Sequence, residues 1–459
     1  MRLLIVPAVA GLLWVVHDRG GAGGAHAQAI RGLWGAARDG QVLPVSSQDL
    51  PTDDVVRHPP VGPTGSPPSG PDSTRDLEAG FDILPEFERF PQRMDVFSRS
   101  FWDPTVQSPR TARFYETYRT PLQSWRAVDG YTQRDYALRN AAWHVPDIFA
   151  ELKESEDRRE GFLDSFSVHR EGPGVRLEVE DVDALTREVK QAARVYGADL
   201  VGIAPYDPRW VYHSSYSRAS DGEKPIDLPG DVTAVIVIAQ AMDYDLLRTV
   251  PSALSGTATG VGYARDTVVL LSLAQFIRNL GYDAVASMND TALAIPYAIQ
   301  AGLGEYGKNG LLITPEFGPR VRLGKVFTTL PLRFDRPRSF GVRQTCQRCR
   351  ACVDACPSKA IPGGEPTAER HNESNLRGVR KWSVDGVKCF TFWANQNTDC
   401  SICVRVCPYN RDYRRWYNRL WARLLRTPLR GWMLKLDRWT GRGERVTPAE
   451  WWRRVRAKG

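Results

Sequence analysis

Helix-like and strand-like patterns of apolar residues alternate between residues 182 and 335. VDALTREVKQAARVYGA and DTVVLLSLAQFIRNLGY have the spacing of buried or amphipathic helices, and TALAIPYAIQAGLG predicts a third helix before a turn at EYGKNG. Short runs rich in β-branched residues predict strands at DLVGIAP, VTAVIVIAQ, DAVASM, LLIT and VRLGKVFTTLPL. We therefore expect a layered α/β (α+β) domain over residues 182–335, large enough to hold a cofactor.

The cysteines form a second pattern directly after this domain. The first run has the spacing C-x2-C-x2-C-x3-C-P and the second C-x10-C-x2-C-x3-C-P. The first is the spacing of bacterial ferredoxins, in which three close thiolates bind one [4Fe-4S] cluster and the fourth cysteine binds the other. By this logic one cluster binds Cys346, Cys349, Cys352 and Cys407, and the other binds Cys389, Cys400, Cys403 and Cys356. The ten-residue gap after Cys389 requires a loop that returns this ligand to its cluster.

Disulfide bonds and zinc are the alternative uses of these thiols. A leader-like N-terminus is compatible with disulfides, but thiols two residues apart would each need a distant partner. Zinc sites usually take one or two C-x2-C pairs rather than runs of four. We therefore predict a ferredoxin-like electron relay with two [4Fe-4S] clusters over residues 336–412.

The first 181 residues carry no motif that points to chemistry. Residues 1–28 contain an apolar run, Leu3 to Val16, which is short for a bilayer span and indicates a signal-like or anchor segment, with a buried helix as the alternative. They lack the twin arginine typical of exported iron-sulfur proteins. Residues 29–79 are rich in Pro, Gly and Ser and predict a flexible tether. Residues 80–181 are expected to cover one face of the core.

Residues 413–459 form a basic tail. From Arg411 to Gly459 there are fifteen Lys or Arg and four Asp or Glu, a balance of +11, whereas the whole chain has +8. Six of the fourteen tryptophans lie in the same stretch. Basic, tryptophan-rich helices suit a membrane surface. The alternatives are helices that pack on the clusters with solvated arginines, or a nucleic-acid partner.

The motifs of the α/β domain give no support to a nucleotide or dinucleotide cofactor. No GxGxxG opens a helix after a strand, and the sequence contains no P-loop. The glycine-rich segment GTATGVG, residues 256–262, is interpreted as a loop. An apolar content of 42 % is ordinary for a globular protein and excludes a membrane bundle.

A longer stretch resembles a known family. NDTALAIPYAIQAGLGEYGKNGLLITPEFGPRVRLGKVFTTLPL, residues 289–332, together with both cysteine runs and CSICVRVCPYN, resembles the respiratory-type cobalamin-dependent reductive dehalogenases over residues 185–412. The resemblance implies a nitroreductase-like domain around a base-off cobalamin, followed by a bacterial two-[4Fe-4S] ferredoxin-like domain whose near cluster passes electrons to cobalt. It implies that Tyr263, Asn289 and Arg322 surround the site above the cobalt. Cofactor contacts are implied for Thr259, Asn289, Gly318 and Arg322.

The chemistry of these side chains agrees with such roles. Replacing a halogen by hydrogen consumes two electrons and one proton, and a tyrosine is a weak proton donor unless its anion is stabilised. The permanent charge of Arg322 would stabilise the tyrosinate of Tyr263, and Asn289 can hold the halogen or the phenolic oxygen. Asp266 is the alternative acid. A packing role for the tyrosine and a surface role for the arginine are the ordinary alternatives.

Two tryptophans near the clusters are candidates for the wall of a substrate channel. Trp382 and Trp393 flank Cys389, and aromatic packing around a cluster is the other role that this position allows.

Three functions compete at this stage. The first is reductive dehalogenation of an organohalide, with Tyr263 as proton donor. The second is an epoxyqueuosine-reductase-like enzyme of tRNA modification, which would give the basic tail an RNA partner, and the third is a plain iron-sulfur electron-transfer protein. We expect the first, with electrons from an external donor, either a membrane quinol system or a ferredoxin or flavodoxin. We expect membrane association at the periplasmic face, with the cytoplasmic face as the alternative, and no nucleic-acid partner.

Overall fold

The computed structural model describes residues 80–118, 128–153, 172, 174–217, 222–226, 228–413, 415–441 and 443–458. All of them belong to one unit, Gly70–Gly459. The predicted signal-like segment and the tether lie outside the described residues.

Strands in the described residues are numbered β1 to β10 along the chain. They are Asp82–Ile83, Leu200–Pro205, Ser215–Ser217, Gly222–Lys224, Ala234–Ala241, Ala284–Ser287, Glu305–Tyr306, Leu312–Ile313, Val321–Thr328 and Val379–Arg380. Four of them form the central sheet in the order β2-β5-β9-β6, and every neighbouring pair is antiparallel. The strands predicted at DLVGIAP, VTAVIVIAQ, DAVASM, LLIT and VRLGKVFTTLPL are all present.

The helices of the described residues are numbered α1 to α14 in the same way. They are Val96–Trp102, Pro109–Glu116, Gln133–Lys153, Val182–Val195, Tyr244–Leu247, Ala253–Asn279, Ala294–Gln300, Val342–Arg348, Ala351–Ala355, Gly386–Gln396, Ile402–Arg405, Trp416–Leu425, Arg430–Trp439 and Pro448–Lys458. Short 3-10 helices add Gln92–Met94 and Pro208–Trp210.

The central sheet is buried on both faces. Successive side chains of a strand point to opposite faces, so Ile236 of β5 belongs to the core that contains Leu270 of α6, whereas Val235 belongs to the core around Tyr297 of α7. This explains why β5 reads as an almost continuous apolar run, AVIVIAQA. The mixed helix and sheet class predicted from the sequence is confirmed.

The interpretation of GTATGVG as a loop is wrong, because this segment lies inside the long helix α6. Ser252 caps the helix by accepting a hydrogen bond from the backbone N–H of Ser255 at 3.1 Å. Glycine in a helix interior costs about 1 kcal/mol relative to alanine, but here it permits close packing against α3. A Cβ atom on Gly260 would lie 2.7 Å from Cδ1 of Trp143.

The C-terminal part carries the cysteines on short helices and loops between α8 and α11, and then continues into α12, α13 and α14. Within the part of the chain that the structure describes, no helix has both the length and the apolar character needed to cross a bilayer.

Candidate active site

Tyr263 is hydrogen-bonded to Asn289 and Arg322, the two residues that the sequence analysis groups with it. Its phenolic oxygen accepts a hydrogen bond from Nδ2 of Asn289 at 2.5 Å and another from the guanidinium of Arg322. The central carbon of that guanidinium lies 4.2 Å from the centre of the tyrosine ring. Two donors on one phenolic oxygen, one of them charged, stabilise negative charge on that oxygen.

The sheet positions two members of this group. Arg322 belongs to β9, and Asn289 follows the neighbouring strand β6 by two residues. The hydroxyl of Tyr212 donates to the backbone oxygen of Asn289 at 3.0 Å and fixes the segment after the strand. Tyr263 comes from α6, which packs on both strands. The group therefore depends on the packing of the long helix against the sheet.

A cavity of about 360 Å³ opens beside this group, and Asn289 and Arg322 line it. Tyr263 is 5 % exposed and does not line the cavity. Its connection to the cavity is the hydrogen bonds to Asn289 and Arg322. The remaining wall is mostly apolar, with a few polar groups, as in many ligand sites. Two of these polar groups have shifted acidity, because burial lowers the pKa of Lys381 to about 8 and raises that of Asp95 to about 6.

The turn between β7 and β8 separates the cavity from the first cysteines. Gly310 and Leu311 of this turn line the cavity. Lys308 and Asn309 of the same turn line a small space of about 20 Å³, and four cysteines form part of its wall. The backbone N–H of Lys308 points to Sγ of Cys346 at 3.5 Å. A single turn of chain therefore joins the cavity to the thiols.

The cysteines fall into two groups that cross the two sequence runs. The near group, beside the turn, consists of Cys346, Cys349, Cys352 and Cys407. The far group consists of the other four. Cys356, Cys389 and Cys403 border one small core, which Cys352 of the near group also borders, and the neighbouring thiol of Cys400 contributes to raising the pKa of Cys389. The structure thus brings together the two sets that the spacing predicts. All eight thiols are free of disulfide bonds.

The thiols are suited to a bound cationic cluster. Burial raises the pKa of Cys346 to about 12, and the neighbouring thiols add to the rise. Thiolates here are therefore costly unless positive charge binds them, which iron supplies. The buried Lys308 side chain also contributes positive charge. Among the described residues no three histidine, cysteine or carboxylate groups are arranged around one metal ion, whereas a [4Fe-4S] cluster spreads its four thiolates over different irons.

Asp266, the alternative acid, lies one turn beyond Tyr263 and is fully buried. Neither carboxylate oxygen has a hydrogen-bond partner in the described parts of the chain, and the residue is absent from the cavity wall. Burial raises its pKa to about 7, while Arg322 opposes the rise. Lys325 of β9 is equally buried, and burial lowers its pKa to about 8. Within the described residues the carboxyl group therefore makes no hydrogen bond to the cavity wall, whereas Tyr263 makes two.

Two predicted cofactor contacts lie elsewhere. The hydroxyl of Thr259 donates to Asp399 at 2.9 Å, next to the far group. Gly318 has a positive φ of 59°, and a Cβ atom there would lie 2.2 Å from the backbone oxygen of Tyr409. Neither residue lines the cavity. Their cofactor roles stay predictions that this geometry does not support.

The two tryptophans also lie outside the cavity wall. Trp382 is buried, and its indole N–H donates to the backbone oxygen of Gly364 at 2.9 Å. Trp393 packs on Phe97 with ring centres 5.7 Å apart. Burial raises the pKa of Cys389 to about 12, and the indole N–H of Trp393 opposes that rise. Trp393 therefore packs next to Cys389 of the far group, which is the alternative to lining a substrate channel.

Sequence reasoning missed several polar residues of the site. In the sequence, Lys308 belongs only to a predicted turn. Asp95, Tyr212 and Lys381 belong to no motif. The glycines on both sides of Lys308 and Asn309 are the one local signal for a turn held close to another group. The other three residues come from distant parts of the chain.

Gly262→Ala should lower the turnover rate of a reaction catalysed at this site by about tenfold to a hundredfold. Small misplacements of catalytic groups have effects of this size. The new Cβ atom would lie 2.6 Å from Cγ of Arg322 and push that side chain from the tyrosine. Alanine favours the helix, so a loss would not reflect local unfolding. Gly364→Ala is the matched control, because nothing lies within 4 Å of its Cβ position. Unchanged turnover in Gly262→Ala would mean that the position of Arg322 is not critical.

Comparison with known proteins identifies related domains. Residues 216–332 match a family model described as reductive dehalogenase subunit, and residues 345–410 match a 4Fe-4S double cluster binding domain. The tetrachloroethene reductive dehalogenase of Desulfitobacterium hafniense is 36 % identical over 330 residues, which cover 63 % of this chain and 59 % of the relative. The chain thus spans less than two thirds of that relative. An epoxyqueuosine reductase of Staphylococcus aureus is 28 % identical over 263 residues, covering 52 % of this chain and 67 % of the relative.

The fold has a counterpart among solved structures. A reductive dehalogenase whose structure is described as suggesting a mechanism for B12-dependent dehalogenation superposes with a TM-score of 0.62. The match has 22 % sequence identity and covers 79 % of this chain and 48 % of that chain. It shows that the two chains share a fold.

Proposed function

We propose that the chain is a reductive dehalogenase, because residues 216–332 match a family model described as reductive dehalogenase subunit and residues 345–410 match a 4Fe-4S double cluster binding domain. In the proposed reaction an organohalide takes up two electrons and one proton. The carbon–halogen bond breaks, a carbon–hydrogen bond forms, and the halide ion leaves.

One observation carries this proposal. The cavity has Asn289 and Arg322, the two partners of Tyr263, in its wall, and the turn that touches the near group in the same wall. The two partners of the proposed proton donor and the turn beside the proposed electron supply therefore share one cavity wall. An electron carrier alone has no use for the hydrogen-bonded tyrosine, and this argues against the third function.

The cavity has features that fit a corrinoid cofactor. Nε of Arg322 is buried without a hydrogen-bond partner among the described residues and can donate to a bound group. The backbone from Gly310 to Leu312 and the side chains of Tyr212 and Lys381 would hold the cofactor in the wall. A bound cobalamin would supply a low-valent cobalt able to deliver electrons to a carbon–halogen bond. The two cysteine groups would each hold one [4Fe-4S] cluster, with the near group next to the cofactor.

The protein's own groups would manage the proton. Tyr263 would donate its phenolic proton toward the carbon that loses the halogen. Arg322 and Asn289 would stabilise the phenolate that remains, through the bonds that they already make to the same oxygen. The apolar wall would exclude water, which strengthens these interactions.

An epoxyqueuosine-reductase-like function is the second candidate. The 28 % identity to such an enzyme supports it. The higher identity of 36 % to a dehalogenase, over a longer stretch, favours the first. The site also weighs against an aspartate acid, because Tyr263 is hydrogen-bonded to two residues of the cavity wall and the carboxyl of Asp266 to none of the described residues.

The electron donor and the location complete the proposal. We expect electrons from an external donor, either a membrane quinol system or a ferredoxin or flavodoxin. We place the enzyme at the cell membrane, on the periplasmic face in the first instance and on the cytoplasmic face as the alternative. The support is the apolar run near the N-terminus and the basic, tryptophan-rich tail.

The first test is the cofactor content of the anaerobically purified protein. We expect about eight irons per chain, as two [4Fe-4S] clusters require, together with one corrinoid and halide release from organohalides with a soluble reductant. Eight irons without any corrinoid after reconstitution would leave an electron carrier. A bound corrinoid with reduction of the modified tRNA base, and no halide release, would favour the second candidate.

A further inference from the structure

Helices α12 and α13 form a hairpin whose inner face packs on the ferredoxin-like domain. Trp421, Leu425 and Leu434 of the hairpin are buried in one core with Phe340 and Tyr409. The sulfurs of Cys346, Cys349 and Cys407 border the same core. Of the alternatives that the sequence leaves for the tail, packing beside the clusters describes this inner face.

Polar contacts hold the hairpin in one orientation. The indole N–H of Trp421 donates to the backbone oxygen of Pro408 at 3.2 Å, and the guanidinium of Arg411 lies 3.8 Å from the centre of the Trp421 ring. Arg411 also forms a buried ion pair with Asp437 of α13. The outer face of the hairpin therefore points in a direction that the fold determines.

The outer face exposes large apolar side chains. Trp416, Trp432 and Trp439 are 68 %, 75 % and 85 % exposed, and three leucines accompany them: Leu420, Leu429 and Leu436. We call these six residues the outer face. Single exposed apolar residues are ordinary, but a group on one element marks an interaction site. Packing within the part of the chain that the structure describes does not account for these tryptophans.

The charge around the outer face has one sign. Between residues 415 and 439 the chain has seven basic residues and one acidic residue: Arg415, Arg419, Arg423, Arg426, Arg430, Lys435 and Arg438 against Asp437. Asp437 is paired with Arg411 and Arg415 with Asp412, both from outside this segment, so these two pairs leave the balance of the segment strongly positive. The partner of this surface is therefore expected to be negatively charged and to accept apolar side chains.

We propose that the outer face binds an anionic lipid surface. Tryptophan rings prefer the headgroup region of a bilayer, leucines reach the acyl chains below it, and arginines and lysines pair with anionic headgroups. A nucleic acid would use the basic residues but leave the three leucines in water. A second copy of the chain would bring two positively charged faces together, which costs free energy.

This surface would place the near group close to the membrane. The hairpin is one layer of helix, about 10 Å thick, and the near group lies directly behind it. The inference rests on the exposed residues and their charge and does not require that the proposed function be correct.

The test uses the anaerobically purified holoenzyme with its full chain. Vesicles of phosphatidylcholine alone are compared with vesicles that contain one third phosphatidylglycerol. We expect the wild type to sediment more with the anionic vesicles than with the neutral ones, and this difference to shrink at high salt because screening weakens the attraction. The triple variant Trp416→Ser, Trp432→Ser, Trp439→Ser should lower the partition coefficient about tenfold or more.

A second triple variant is the matched control. Val175→Ser, Val195→Ser, Phe334→Ser removes three exposed apolar residues outside the hairpin and should bind like the wild type. Iron content and halide release with a soluble reductant should be unchanged in both variants, so lipid binding and dehalogenation are tested separately. Equal binding of the tryptophan variant and the wild type would overturn the proposal and assign lipid binding to another segment. Retention on RNA or self-association in place of vesicle binding would overturn it as well.

Discussion

Replacing Tyr263 by phenylalanine should lower turnover by about 10²- to 10⁴-fold, the usual contribution of a general acid. The change removes the one oxygen on which Asn289 and Arg322 both act. It keeps the ring, whose centre lies 5.1 Å from that of Trp143, so the packing of α6 on α3 should persist. Halide release with a soluble reductant measures turnover, and iron and corrinoid contents should match the wild type.

The pH dependence of the residual activity identifies any substitute acid. If Asp266 donated the proton, the rate of Tyr263→Phe would fall as the pH rises through about 7, since that is where burial places the pKa of this carboxyl and the acid form is lost above it. The double variant Tyr263→Phe, Asp266→Asn would then lose the remainder. We expect neither effect, because the carboxyl lacks hydrogen-bond partners and lies outside the cavity wall. Nearly full activity in Tyr263→Phe would remove the tyrosine from the mechanism.

Local sequence was sufficient to predict the strands of the sheet and the second half of the long helix beside it, at DTVVLLSLAQFIRNLGY, but not the first half. VTAVIVIAQ predicts a buried strand, and the structure has Ala234–Ala241 there, since β-branched runs express a local preference. GTATGVG favours a loop locally, but long-range packing makes it helical. The indole N–H of Trp143, 113 residues away in sequence, donates to the backbone oxygen of Gly256 at 3.3 Å. No local signal in the glycine-rich segment contains that contact.

The candidate site divides in the same way. Three of the four cysteines of the near group lie close together in the first run, whose spacing is typical of two-cluster ferredoxins. The two cysteine groups could therefore be predicted. Tyr263, Asn289 and Arg322 came from a resemblance together with their side-chain chemistry, and the structure places them in contact. Lys308 could not be predicted, because its closeness to Cys346 joins positions 38 residues apart. Its role depends on the turn between β7 and β8 lying against the near group.

The second prediction with a large effect concerns Cys407, because each cysteine group contains a member of the other sequence run. Cys407 belongs to the second sequence run but lies in the near group, beside Cys349 of the first run. We expect Cys407→Ser to disable the near cluster, to lower iron from about eight to about four per chain, and to reduce turnover to background. The physical reason is that the last electron-transfer step before the cavity would be lost, whatever the state of the far cluster.

Two single variants test the crossing with matched chemistry. Cys349→Ser shares the near group with Cys407 but not its sequence run, whereas Cys400→Ser shares the run but not the group. Paramagnetic resonance spectra of the reduced proteins should therefore show the same missing signal in Cys407→Ser and Cys349→Ser, and a different one in Cys400→Ser. If Cys407→Ser instead resembled Cys400→Ser, each run would bind its own cluster. The near group would then lack its fourth thiolate, and the proposed path from that cluster through the turn at Lys308 to the cavity would have to be abandoned.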